Sequence, residues 1–413
     1  MVREVPRARR RDLIWFALGL GLPLPWVVAE ALHGLGIQAE VQAPLAGMAI
    51  LGAAFMLAWS CEIAERDIPQ SLALLVLALV GVLPEYAIDL HFAWQAGIDP
   101  SYAPYATANM TGANRMLIGL GWAAVIVVGC WRSGESHLDV HPRQKLELRY
   151  LIWATLYSFF IPLGGEISLL DAGILLLLFA AYVRAAMGGE TPEIDLAGPA
   201  ALIDREFRDT GRRIWALLLF VFAGYAIYVS AEPFAESLIT MGRRYDVDEY
   251  LLVQWVAPLA SESPEFIVAV LFALHMRAST GIGALVSSKV NQWTLLVGAL
   301  PIAYAISSGG FSGLPLDERQ TEELLLTSAQ SLLAVILLSD LRVTRNEALG
   351  LAGLFLAQLC MTSMAVRSGF TVIYLAISLG ILMFGRVERR RAFFALLWGR
   401  GSTSQVSEPA KDA

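Results

Sequence analysis

Gly81-Val82-Leu83-Pro84-Glu85-Tyr86-Ala87-Ile88-Asp89 and Ser261-Glu262-Ser263-Pro264-Glu265-Phe266-Ile267-Val268 carry the same unusual message. Each sets a Pro-Glu pair in the middle of a long apolar run. An intramembrane carboxylate is expensive and usually marks an ion or proton path. A proline at the same place interrupts the helix ladder and frees backbone carbonyls. Two copies predict one site shared between two halves of a transporter.

The surrounding chain fits that reading. Of 413 residues, 56% are hydrophobic and 16% charged, with mean hydropathy +0.58. Soluble domains run near about 25% charged, so an integral membrane protein is expected. The net charge of −7 says little about partners, because the side on which charges lie matters more. Expected partners are the lipid bilayer and inorganic cations, with no nucleic acid and no cofactor, in a monomer or homodimer. Cys61, Cys130 and Cys360 are far apart in or beside apolar runs and read as packing residues. The Arg-rich start precedes a long apolar run without a clear cleavage site, which favours a retained first span.

Apolar stretches predict an all-α protein with about twelve transmembrane helices. They lie near 12–32, 43–62, 69–95, 105–131, 147–163, 168–186, 213–239, 248–274, 280–307, 321–340, 346–365 and 369–385. Alternating these spans collects most basic residues on one side, among them Arg66, Arg132, Arg143, Arg184, Arg212, Arg277, Arg342 and Arg389. The other side receives Arg243, Arg244, Arg319 and Arg367. The positive-inside rule then makes both termini cytoplasmic, in a plasma (inner) membrane. The expected segments are 1–42, a basic start and extra first helix; 43–186, a first repeat; and 187–212, a cytoplasmic linker. They continue with 213–365, a second repeat; 366–400, an extra last helix and basic end; and 401–413, a disordered tail.

The halves match beyond the Pro-Glu pairs. Asn109-Met110-Thr111-Gly112-Ala113-Asn114-Arg115 corresponds to Ala284-Leu285-Val286-Ser287-Ser288-Lys289 and its surroundings. Arg143-Gln144-Lys145-Leu146-Glu147 corresponds to Arg319-Gln320-Thr321-Glu322-Glu323. Five helices per repeat is an odd number, so the second copy enters the membrane upside down. That predicts two inverted five-helix repeats, one extra helix at each end, and a midplane site at the repeat interface.

These motifs resemble the cation/calcium exchanger superfamily, the sodium/calcium exchanger-like membrane proteins. The family carries a Gly-Thr-Ser-Leu-Pro-Glu motif in each repeat, followed by Gly-Asn/Asp-x-x-Gly-Ser-Asn. Leu83-Pro84-Glu85, Ser263-Pro264-Glu265 and Asn109-Met110-Thr111-Gly112-Ala113-Asn114 hold parts of them. The resemblance implies a secondary antiporter exchanging Ca2+ or a related cation for H+ or Na+ by alternating access. It implies ion ligation by Glu85, Asn109 and Glu265, with Ala284 at the fourth place, where the oxygen is lost. The Thr-Ser pair that helps hold sodium becomes Gly81-Val82 and Ser261-Glu262, and the second motif's Asn becomes Lys289.

Residue chemistry adds to this. Calcium takes about six to eight hard oxygens. Glu85 and Glu265 are the candidate metal carboxylates, with Asn109, Thr111, Ser261, Ser288 and freed carbonyls as neutral oxygens. Glu262, three residues before Glu265, and Asp89, four after Glu85, share their helix faces and are candidates to replace the missing oxygen; a watery vestibule is the bland reading of both. Lys289, Asn114 and Arg115 are candidates for coupling or charge compensation. An ammonium beside two carboxylates repels calcium but holds the empty site together. Its readiness to deprotonate when a cation enters, with the lost hydroxyls and the gained Glu262, points to proton rather than sodium coupling. His91 and His275 sit near span ends. Two other readings stay open: a divergent, non-transporting regulatory protein, and an intramembrane acid–base enzyme, for which no nucleophile or metal motif is present.

Overall fold

The computed structural model describes residues 6–32, 37–64, 67, 82–187, 196, 198–360 and 363–399. The predicted span at 69–95 is therefore described from its second part, and the tail 401–413 lies outside the described residues. Helices dominate. α1 (Pro6–Gly21) and α2 (Leu24–Ala31) meet at Pro23, so the helix of the expected first span is interrupted there, while Arg10–Ala31 as a whole keeps membrane-spanning length. α3 (Ala39–Ala64), α4 (Leu83–Ile98), α5 (Ala103–Met116), α6 (Ala123–Ser133), α7 (Lys145–Ser158) and α8 (Leu169–Ala186) form the first half. The segment read as a linker contains α9 (Gly198–Glu206). α10 (Asp209–Tyr245), α11 (Glu249–Leu274), α12 (Ala278–Asn291), α13 (Val297–Ser308), α14 (Glu318–Leu338) and α15 (Arg345–Cys360) form the second half. α16 (Met364–Phe384) and α17 (Val387–Leu397) follow, the latter a helix within the basic end.

Among the described residues, eight helical stretches are long and apolar enough to cross a membrane. They coincide with eight of the twelve expected spans. The other four are 69–95, 147–163, 280–307 and 346–365. The helices there are cut by the description, shorter, or diluted by polar side chains such as Lys289, Asn291 and Gln292.

The halves are related residue by residue. A π-helical turn, Leu117–Trp122, joins α5 to α6, and another, Gln292–Leu296, joins α12 to α13, 175 positions on. Gly134 and Gly309 end α6 and α13 in the left-handed conformation that glycine adopts without strain. Ser168 with Asp171 caps α8, and Thr344 with Glu347 caps α15 in the same reciprocal pattern.

Two short sheets give the relative direction. β1 (His137–Asp139), after α6, pairs with β4 (Arg342–Thr344), before α15. β2 (Glu166–Ile167), before α8, pairs with β3 (Leu314–Pro315), after α13. Parallel copies would bring equivalent loops to one end. Here the loop after the third helix of each copy meets the loop after the fourth helix of the other, as inverted copies require.

The core lies where the copies cross. α3 packs along α10, α4 against α13, and α5 against α11. Ser60 donates to Ala216 O at 2.8 Å and Trp26 Nε1 to Val229 O at 3.0 Å, satisfying these buried polar groups within the protein. Cys61 and Cys130 are buried and outside any disulfide.

Candidate functional site

α4 starts at Leu83 with Pro84 in its first turn, where a missing N–H costs nothing. Glu85 therefore projects from a helix N-terminus, whose dipole favours a negative group. It is 1% exposed, and its carboxyl oxygens meet no amide, hydroxyl or cationic donor. Asp89, one turn on, is fully buried and accepts from Asn109 Nδ2 at 2.8 Å.

The second copy is built differently. α11 runs unbroken through Pro258 and Pro264, so the break expected at Pro264 does not occur. Each proline still removes one ladder bond, leaving the carbonyls of Gln254 and Ala260 without their usual donors. Packing against α3, α5 and α12 supports the helix through the gap. Glu262 is 2% exposed and accepts from Gln292 Nε2 at 2.6 Å. Its carboxyl lies within hydrogen-bonding reach of Glu85. Glu265 is half-buried beside Ser288.

The carboxylate in contact with Glu85 is thus Glu262. The element boundaries explain this. The Pro-Glu pairs are 180 positions apart, whereas α5 and α12 start 175 apart and α4 and α11 end 176 apart. At that offset Glu85 falls one residue from Glu262, and Asp89 falls on Glu265.

Lys289 is fully buried. Its Nζ donates to Asn114 Oδ1 at 2.6 Å and Asn114 O at 3.3 Å, and lies 4.4 Å from the centre of the Trp293 ring. Three donors thus find two oxygens and an aromatic face. Asn114 in turn donates to Met110 O at 2.8 Å.

Other candidates face elsewhere. Thr111 donates to Thr107 O at 2.7 Å and faces Gln254 Nε2 at 3.5 Å. Ser261 turns back to Ala257 O and Pro258 O, both at 3.4 Å. Arg115 leaves the site: its Nη2 is 2.5 Å from Glu323 Oε2, and Arg367 Nη1 is 2.9 Å from Glu323 Oε1. His91 pairs with Glu236 at 3.2 Å, and exposed His275 bonds Leu271 O. Ala284 is exposed, whereas its counterpart Asn109 is fully buried.

Sequence reasoning missed Gln292, Gln254 and the Tyr86–Asn291 bond of 3.3 Å. Gln292 stands three residues after Lys289, a polar pair on one helix face, and that spacing was the available signal. Among the described residues no three His, Cys, Asp or Glu side chains form a ready cage for a metal. A cation here would draw part of its shell from amides, hydroxyls and carbonyls. Two touching carboxylates cannot both stay ionised unless a cation lies between them, so the arrangement suits a site that holds either protons or a cation.

Comparison with known proteins identifies the family of the chain. The family model described as sodium/calcium exchanger protein matches residues 41–188 and 215–364. A solved structure described as the H+/Ca2+ exchanger CAX is 42% identical, covering 94% of this chain and 98% of its own, with TM-score 0.88. One described as the Ca2+/H+ antiporter protein YfkE is 16% identical over 88% of this chain and 99% of its own, with TM-score 0.62. The sodium-calcium exchanger NCX_Mj is 18% identical over 79% of this chain and 99% of its own, with TM-score 0.52. The last two show the fold alone. No curated protein sequence matches. The matched segments are the two halves that carry the touching carboxylates, and the chain belongs to the sodium/calcium exchanger protein family.

Proposed function

We propose that this membrane cation antiporter exchanges Ca2+ for H+, with Glu85 and Glu262 as the central carboxylates. The observation that carries the reading is their buried contact beside Lys289. When Ca2+ enters between them, the pair gives up its protons; when Ca2+ leaves, the same number of protons restores it. Asp89, oriented by Asn109, and Glu265 with Ser288 flank the centre on either side.

Sodium fits less well. Lys289 stands where the second repeat's motif would place an asparagine, and its ammonium fills that space with a fixed donor. The 42% identical neighbour is described as an H+/Ca2+ exchanger, which supports the same choice. Membership in an exchanger family removes the acid–base enzyme reading.

The site is sealed on the first-repeat side, where Asn109 and Asp89 are fully buried. On the second-repeat side Ala284 is exposed and Glu265 and Ser288 are half-buried. α12 begins beside the β1–β4 sheet, where Ser279 Oγ accepts from His141 N at 2.8 Å. We read the site as open toward that end, which the basic residues make cytoplasmic. Twelve spans, a plasma-membrane location and cytoplasmic termini complete the reading.

Radioactive calcium uptake into sealed proteoliposomes tests it, under a proton gradient and separately a sodium gradient. We expect uptake driven by the proton gradient and lost in Glu85→Gln and Glu262→Gln. Uptake driven by sodium and indifferent to pH would overturn the coupling. Calcium binding without flux under either gradient would favour the non-transporting alternative.

A further inference from the structure

The inverted repeat places one carboxylate twice. Glu147 stands in the first turn of α7, and Glu323 stands in the corresponding turn of α14, 176 positions on. Their surroundings differ. Both oxygens of Glu323 are engaged by Arg115 and Arg367, and the group is fully buried. At Glu147 neither cation is supplied. The position equivalent to Arg115 is Val290, and α16, which brings Arg367, lies outside the repeats. Glu147 is half-buried, and its Oε2 is shielded from solvent without a hydrogen-bond partner.

Several polar oxygens stand on the elements around Glu147. Gln144, one helical turn before it, also has a buried Oε1 without a partner. Its amide packs on Gly283 of α12. Tyr182, close enough to Glu147 to feel its charge, shares a 3.0 Å hydrogen bond with Ser287. Of the basic residues nearby, Arg143 and Lys145 are exposed, and Arg149 lies two positions on, off the face that Gln144 and Glu147 share.

This niche runs along α12 next to the site. Along α12, Gly283 meets Gln144, Ala284 is exposed, Ser287 meets Tyr182, and Ser288 lies beside Glu265. From Gly283 to Ser288 the helix advances only about 7–8 Å.

We propose that Glu147, with the Gln144 amide oxygen and the Ser287–Tyr182 hydroxyls, forms an outer docking site for a hard divalent cation at the mouth of the open side. One carboxylate, a few neutral oxygens and water make a weak site, suited to concentrating the cation and releasing it inward. At the other end of the molecule the same position is plugged by two arginines. The inference rests on the proposed calcium transport.

Two measurements on the full-length protein test it and separate its failure from that of the parent reading. The first is initial calcium-transport rate against calcium concentration in proteoliposomes. Glu147→Gln is expected to raise the half-saturating concentration about fivefold to tenfold, more than it lowers the maximal rate, with Glu147→Asp intermediate. An unchanged half-saturating concentration, or a fall in maximal rate alone, would overturn the proposal. The second is calcium binding to the detergent-solubilised Glu85→Gln/Glu262→Gln variant, in which the central pair is disabled. Weak saturable binding that disappears on adding Glu147→Gln upholds the outer site even if the protein moves no calcium. Binding that is absent, or indifferent to Glu147→Gln, sinks it. Unaltered melting of each variant excludes misfolding as the cause.

Discussion

Lys289 Nζ lies 2.6 Å from Oδ1 of Asn114, the residue that occupies its own position in the other repeat. Counterparts touch in this way only near the pseudo-two-fold axis, so this contact marks the centre of the molecule. The repeats have diverged at that point: one supplies an ammonium and the other the amide that receives it. Their carboxylates lie alongside, with Lys289 in the field of both Glu85 and Glu262.

Lys289→Asn restores the residue of the other repeat and keeps a donor for Asn114 while removing the charge. A buried positive charge beside the carboxylates opposes a divalent cation. The half-saturating calcium concentration is expected to fall by about tenfold, measured by calcium binding to the purified protein. A weaker affinity would show that Lys289 organises the site more than it repels cations.

Glu323 holds two arginines that no other described carboxylate contacts, Arg115 from α5 and Arg367 from α16. Glu323→Ala leaves both charges buried and uncompensated. The expected loss is about 3–5 kcal/mol, seen as a large drop in melting temperature in detergent. The more exposed Arg319–Asp248 pair, at 2.7 Å, is expected to contribute about 1 kcal/mol or less through its charges.

Gly112 sits where α5 crosses α11. A Cβ there would collide with the carbonyl oxygen of Gln254, one of the carbonyls freed by a proline. Backbone cannot move aside as a flexible side chain does. Gly112→Ala is expected to push the helices apart and cost about 1–3 kcal/mol. The displacement would carry Asn109 and Asn114, so calcium affinity should weaken with stability; a variant that melts and binds as wild type would refute the close approach.

Asp67 ties the chain beyond α3 to the start of α10. It accepts from Arg213 Nε at 2.9 Å and from Arg212 Nη2 at 3.0 Å. Arg213 first, then Arg212, hold its carboxyl below the usual 3.8. A depressed carboxylate stabilises the fold above its unfolded value and loses that contribution as pH falls through the folded one. Asp67→Asn should therefore melt below wild type at neutral pH, and the gap should close as pH drops below 3.8. A gap that persists unchanged in acid would mean that the clasp is not ionic.

Fold class, repeat and inversion were legible in the sequence because they rest on properties local to the chain. Long apolar runs force helices in a membrane, an odd number of them inverts the second copy, and duplicated motifs at a near-constant offset expose the copies. Glu85, Glu262, Asp89, Asn109 and Lys289 stood out for a related reason: each is a polar group where hydrocarbon was expected. Which of them touch was decided by tertiary structure. The 180-position offset of the Pro-Glu pairs pointed to Glu265 as the partner of Glu85, yet crossing helices bring Glu262 there, because contact follows helix phase and crossing point more than motif spacing. Helix crossing likewise turned Arg115 to Glu323, aligned Gln292 with Glu262, and left Glu147 without the arginines that its counterpart holds. A sequence fixes what each segment must bury; where two buried faces meet is set by how the segments pack.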